Sequence, residues 1–280
     1  MTPAPRSLDP PWVKLVLIAL TVVFFVVFIF LPLALVFVQA LSKGWDAYVA
    51  AWTEPAAVSA IQLTLLTTAV VVPLNSVFGV AAAWLITKYT FRGKTVLVSL
   101  LDLPFAVSPV IAGLIFVLVL GNRTPVGAWL DSLGIQVIFA PPGIVLATLF
   151  VTFPFVVREL IPLMQSQGRE EEEAALTLGA RGWQLFFRVT LPNIKWGLLY
   201  GMVLCNARAI GEFGAVSVVS GHIRGETNTI PLHVEILYSE YNFTASFAVA
   251  SILVFIALAT LVVKAWLEHR FEKSEKGETP

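Results

Sequence analysis

Along this 280-residue chain, long apolar runs free of charge alternate with short polar connections. A membrane crossing takes about 20 mostly apolar residues in a helix, and six segments qualify: residues 15–40, 58–85, 96–121, 143–163, 196–220 and 245–266. The first is long enough to span with tilt or with a kink at Pro32. It is too long for the apolar core of a secretory signal and lacks a convincing small-residue cleavage site, so the pattern predicts a retained helix. The third carries Asp102, Pro104 and Pro109, and the fifth carries Arg208 and Glu212. The fold class that follows is all-α: one polytopic membrane domain over residues 1–280 with six transmembrane helices and both termini on one side.

Hydrophobic residues make up 58% of the chain and charged ones 13%, against about 25% charged in soluble domains. That excludes a soluble single-core globule, and it equally excludes a disordered polymer. Lys and Arg number 18, as do Asp and Glu, which removes any case for a basic nucleic-acid binder. The placement of those charges is informative. With the N-terminus inside, fourteen of the eighteen basic residues fall in inner segments, Lys43, Arg123 and Arg224 fall outside, and Arg208 lies within a span. This positive-inside bias predicts cytoplasmic termini. Cys205 is the single cysteine, so it has no intrachain disulfide partner.

The longest inner connection, residues 164–195, is too polar to span and too patterned to be a passive link. Glu170 to Glu173 lead into the helix-forming run Ala174 to Leu178, and Gly179 ends it where a residue of positive φ fits. A second short helix is expected with Trp183, Phe186, Phe187 and Thr190 on one face, at i, i+3, i+4 and i+7. Leu191-Pro192 marks a junction into the fifth span. The competing reading is an amphipathic helix lying on the inner leaflet. Four consecutive glutamates beside anionic lipid oppose it.

The order Glu173-Ala174-Ala175, three residues, Gly179, nine residues, then Val189-Thr190-Leu191-Pro192 resembles the EAA motif of bacterial ABC importer permeases, with Val189 where Ile is common. The resemblance implies coupling helices that dock in a cleft of a separate ATPase, and it assigns Glu173, Ala174, Ala175, Gly179, Leu191 and Pro192 to that coupling. A narrower stretch, Arg208 to Val216 followed by Ser220 to Thr229 and Pro231 to Glu235, is similar to sulfate/thiosulfate permease subunits. The portion from Arg208 to Gly214 is shared with molybdate permeases, so molybdate or tungstate is the alternative cargo. The implied assembly is an inner-membrane importer working by alternating access. It holds two different, homologous permeases in contact with membrane lipid, two copies of an ATPase that bind ATP and Mg, and a periplasmic sulfate-binding protein.

Charges within a span default to functional candidates because burying them is costly. Arg208 and Glu212 are four apart, but Arg before Glu is the weaker order for a pair on one helix, so each is expected to reach a neighbouring helix. Two readings stand side by side: an ionic staple of the bundle, or an anion path in which Arg208 supplies compensating charge and Glu212 tempers it. Asn206, Ser217 and Ser220 are candidate neutral donors, or packing residues. Asp102, just before Pro104, either lines the path or is a capped acid at the span's end. The outer loop from Gly221 to Ser239 contains His222, Arg224 and Glu226, candidates for an outer gate or a binding-protein contact, and a short helix is expected over Leu232 to Tyr238. The alternative is a solvated loop.

The histidines and acids lack the spacing of a metal site, so none is expected. Arg92-Gly93-Lys94-Thr95 ends like a phosphate-binding loop, but Lys88 stands where such a loop needs Gly. The chain is therefore read as holding no cofactor and no ATPase or other catalytic site. Two other classes stay open: a secondary anion transporter, which would run without ATP, and a non-conducting scaffold subunit.

Overall fold

The computed structural model describes the backbone of residues 11–275 and the side chains of residues 12–267. Of the basic residues in the charge tally, Arg6 and Lys276 lie outside the described residues, and only the backbone of Arg270 and Lys273 is described. Among the described residues the chain is helical with no strand. Four helices are long and apolar enough to cross a membrane unbroken: Trp12–Ala40, Pro55–Lys88, Pro141–Gln167 and Phe243–Leu267. They correspond to the first, second, fourth and sixth expected spans. The second and fourth run further than the charge-free stretches predict, because an α-helix continues into the polar interface as long as its backbone stays bonded.

The third and fifth expected spans are not continuous helices, which corrects the sequence reading. The third divides into Lys94–Leu101, Leu103–Ala106 and Pro109–Leu120. Pro104 and Pro109 each lack an N–H and sit in the first turn of the next piece. Val107 and Ser108, ahead of Pro109, are extended at ψ of 133° and 134°. After Leu120 the chain bends by 66° into the short helix Pro125–Ser132. The fifth runs as Leu191–Ile210, breaks, and resumes as Gly214–Val219.

In the first helix the expected disturbance at Pro32 takes the form of a π-helical turn, Val26–Phe30, directly before the proline. Widening the turn relieves the clash between the ring and the preceding carbonyls. The Phe243–Leu267 helix packs on the C-terminal half of the first, where Phe37 meets Phe255 edge-on at 5.5 Å. A short helix, Trp45–Thr53, lies against the same element through Tyr48 Oη to Ser251 Oγ at 2.8 Å and Trp52 Nε1 donating to the Ala248 carbonyl at 2.8 Å.

The centre of the bundle is the packing of Pro55–Lys88, Pro141–Gln167 and Leu191–Ile210. Val72, Val80, Ala83, Val156, Leu160, Met164 and Ile194 form its core toward the loop end. At the other end, Leu63, Val137, Ile138, Ile144, Val216, Val219 and Leu232 form a second one. Four buried hydroxyls are met within their own helices: Thr64, Thr68, Ser76 and Thr152 donate to the carbonyls of Ala60, Thr64, Val72 and Thr148 at 2.7–2.8 Å. A polar group that joins all three helices is centred on Asn75, whose Nδ2 donates to Thr152 Oγ1 at 2.8 Å and approaches Cys205 Sγ at 3.5 Å.

Candidate functional site

The break in the fifth span is built by the run Gly211-Glu212-Phe213-Gly214. The Leu191–Ile210 helix ends at Gly211, the Glu212 N–H turning back to the Ala209 carbonyl at 3.2 Å. Glu212 then carries its carboxylate to the start of Gly214–Val219, where Oε1 accepts from the Ala215 N–H at 2.9 Å. Oε2 lies 2.5 Å from Arg208 Nη1. The Glu212 side chain is 1% exposed and that of Arg208 33%. Arg208 and Glu212 thus pair with each other rather than with neighbouring helices, as the sequence order had suggested. The order penalty belongs to a continuous helix, and this one stops between the two residues. The arrangement leaves a guanidinium that is part open and a carboxylate that is closed in, Oε1 bonded to a backbone N–H and Oε2 held by the charge of Arg208.

The Gly214–Val219 segment is pressed onto Pro109–Leu120. A Cβ on Gly113 would stand 2.6 Å from the Ala215 carbonyl oxygen and 3.0 Å from Val218 Cβ, so the two broken spans meet backbone to backbone. Among the neutral candidates, Asn206 is half-buried, Ser217 Oγ donates to the Gly214 carbonyl at 2.9 Å, and fully buried Ser220 accepts from the His222 N–H at 3.2 Å. Asp102 is brought to Arg158, not to Arg208. Arg158 Nε and Nη2 stand 2.9 and 2.8 Å from Asp102 Oδ1, with both side chains about half exposed and the guanidinium over the Phe105 ring at 4.4 Å.

In the loop that follows the fifth span the short helix forms as Ile230–Ser239. Arg224 pairs with Glu240, and that bond holds the Glu240 carboxyl below the ordinary carboxylate range. His222 Nδ1 lies 3.9 Å from Glu235, while Glu226 is exposed. Hydropathy alone missed the polar groups buried behind this loop. Asn228, Thr229 and His233 are closed to solvent, and the Ile230 N–H donates to Thr64 Oγ1 of the second span at 2.9 Å. Burial pushes the His233 imidazole down from its ordinary pKa. Among the described residues, no three His, Cys, Asp or Glu side chains are grouped to hold a metal.

At the opposite end, the 164–195 loop contains the helix Glu170–Thr177, and Gly179 follows at φ +88°. The second piece differs from expectation. Gly182–Leu185 passes through a π-helical turn, Phe186–Thr190, straight into Leu191–Ile210, so no joint exists at Leu191-Pro192. The wider turn also splits the expected aromatic face: Phe186 packs on Trp84 at 5.0 Å and Thr190 is buried, while Trp183 and Phe187 are exposed. Leu178, at 89% exposure, projects from the loop's tip, and Glu173 and Ala174 are exposed beside it, with Ala175 half-buried.

The loop's base is tied on three sides. Lys88 Nζ reaches Glu172 Oε2 and the Gly168 carbonyl, both at 2.9 Å. Arg169 Nη2 donates to the Lys88 carbonyl at 2.8 Å, meeting an otherwise unpaired end of the second helix. Glu172 Oε1 accepts from Thr190 Oγ1 at 2.8 Å, Glu171 from Asn193 Nδ2, and Gln167 Nε2 donates to the Asn193 carbonyl at 2.9 Å. Two of the four glutamates are therefore internal fastenings. Lys88, far from Glu172 in sequence, carried no local signal of this role.

Residues 75–273 match the family model described as binding-protein-dependent transport system inner membrane component. The sulfate transport system permease protein CysW of Escherichia coli (strain K12) is 52% identical over 95% of this chain and 91% of its own length. The sulfate transport system permease protein CysT of the same organism is 36% identical over 92% of this chain and 93% of its own. Among solved structures, a bacterial alginate ABC transporter in complex with an alginate pentasaccharide-bound periplasmic protein has a chain that superposes with a TM-score of 0.74, at 18% identity and with 96% of each chain covered.

Proposed function

This chain belongs to the family of binding-protein-dependent transport system inner membrane components, the permease subunits of ABC importers, and from that premise we propose that its cargo is sulfate or thiosulfate. The observation that carries the cargo is the 52% identity to a sulfate permease over nearly the whole chain. In this reading the chain is the CysW-type half of a heterodimer with a CysT-type permease. Two ATPase copies sit beneath it with ATP and Mg, and a periplasmic sulfate-binding protein sits above. The chain itself holds no catalytic site, and its termini face the cytoplasm.

The geometry supports alternating access driven from the loop. Leu178, Trp183 and Phe187 offer exposed apolar contacts to the ATPase, with Glu173 beside them. The rod from Gly182 to Ile210 runs without a joint from that contact to the break where Arg208 and Glu212 sit. A tilt imposed at the loop is therefore delivered to the ion pair. The part-open Arg208 offers charge to a passing oxyanion, and the buried Glu212 keeps that attraction shallow enough for release.

The test is uptake of labelled sulfate into proteoliposomes holding this chain with its partner permease, ATPase and binding protein, with and without internal ATP and with molybdate as competitor. ATP-dependent sulfate uptake that molybdate does not displace is the expected result. Molybdate uptake in its place would keep the importer and refute the cargo, and flux without ATP would favour a secondary transporter.

A further inference from the structure

The helix Glu170–Thr177 is joined to the rest of the chain by glycine on both sides. Gly168 (φ +72°) precedes it and Gly179 (φ +88°) follows it, and a Cβ at either would meet nothing within 4 Å. Chain continuity therefore does little to fix this helix, since glycine links rotate easily. What orients it is the set of side-chain ties at its base. A push on the helix reaches the spans only through contacts that stay closed while it moves.

Among those ties, Glu172 is the node. Its Oε2 meets Lys88, the last residue of the second span, and its Oε1 meets Thr190, in the rod that becomes the fifth. Both charged side chains are mostly buried, at 11% and 14% exposure, so water screens the pair less than a surface bridge. The adjacent Glu173 is exposed. Neighbouring glutamates thus divide inward and outward.

We propose that the Lys88–Glu172 pair, with Thr190, is the joint that makes the loop helix, the second span and the fifth span move as one body, and that this joint sets how much substrate is moved per ATP. The inference rests on the ATPase-coupling reading above. Lys88 and Glu172 are positioning residues in it, remote from both substrate and nucleotide.

The experiment uses the complete reconstituted complex and reads sulfate imported per ATP hydrolysed. Lys88→Met and Glu172→Gln should each lower that ratio about tenfold, while complex yield and ATP hydrolysis stay near wild type. Lys88→Arg should keep the ratio, and the exchanged pair Lys88→Glu with Glu172→Lys should regain most of it. Single variants at the wild-type ratio, or an exchanged pair no better than either single, would overturn the joint.

A measurement that leaves the pair intact guards against failed assembly. Spin labels on Tyr89→Cys and Glu170→Cys, both exposed positions, should hold one separation in nucleotide-free and ATP-trapped complex. A change of about a helical turn, ~5 Å, would show the joint opening and refute the proposal. The wild-type complex separates the two ideas. ATP-independent flux would refute the coupling reading, whereas ATP-driven import with unaffected variants would refute only the joint.

Discussion

Removing the Arg208 guanidinium probes the broken fifth span most directly. The Glu212 carboxylate, 1% exposed, has two supports: the Ala215 N–H at 2.9 Å and Arg208 Nη1 at 2.5 Å. Arg208→Ala strands it with one neutral donor, and breaking a buried pair in this way costs about 3–5 kcal/mol. Arg208 is itself 33% exposed, so solvent already screens part of the attraction, and about 2–3 kcal/mol is the better figure. At about 2–4 °C per kcal/mol for chains of this size, the complex should melt about 4–12 °C lower. Arg208→Ala combined with Glu212→Gln should recover at least half of the loss. The amide keeps an oxygen for the Ala215 N–H and has no charge to strand. The assay is thermal denaturation of the purified complex in one detergent and lipid mixture at one scan rate. A single variant melting within ~1 °C of wild type, or a double variant no more stable than the single, would refute the reasoning. Uptake by the double variant then decides between the two roles. Restored stability without import puts the guanidinium on the anion route, and restored import leaves it a staple.

Three further outcomes follow from the same geometry. Gly113→Ala should destabilise the complex by about 1–3 kcal/mol, seen as a lower melting temperature, because the new methyl is forced against the Ala215 carbonyl at 2.6 Å; an unchanged melting temperature would refute the close contact. Leu178→Ala should leave the melting of the ATPase-free permease unchanged within ~0.5 kcal/mol, since the side chain is 89% exposed, yet weaken ATPase binding about tenfold in a pull-down titration; equal binding would remove Leu178 from the docking surface. His233 is disfavoured as a cation when folded, so the unfolded chain binds the extra proton and stability falls as pH drops through about 6.5 and below. His233→Gln should flatten that decline, and parallel melting curves from pH 8 to 5 would contradict it.

What the sequence disclosed and what it withheld divide along physical lines. Hydropathy located every long helix, since a crossing must be apolar over its whole length, and the loop motif gave Glu170–Thr177 with its Gly179 stop. Hydropathy is blind to backbone breaks inside an apolar stretch. Pro104, Pro109, Gly211 and Gly214 were the available cues to the divided third and fifth spans, and the chain does interrupt at or beside each of them. Pairings between distant residues left no local trace: Asp102 with Arg158, fifty-six residues away, and Lys88 with Glu172 arise only once the spans are packed. The Arg208–Glu212 pair was misjudged for a related reason, because a rule for unbroken helices was applied across a helix end.

Thr64, Thr68, Ser76 and Thr152, buried in the second and fourth spans with hydroxyls that return to carbonyls of their own helices, have a consequence for motion. A hydroxyl satisfied at home is not a rivet to its neighbour. Between these two helices side-chain ties gather in the Asn75 group and in the Thr87 hydroxyl, which donates to Met164 Sδ at 3.4 Å, and much of the surface between them is apolar contact. Such a seam has low friction: one helix can slide or pivot on the other by exchanging methyl contacts, one small step at a time, without breaking strong bonds in a medium that offers no replacement. Asn75 then acts as the pin of the pivot, and because Lys88 on the Gly168 carbonyl fastens the two rods at the loop end, the swing is left to their opposite ends.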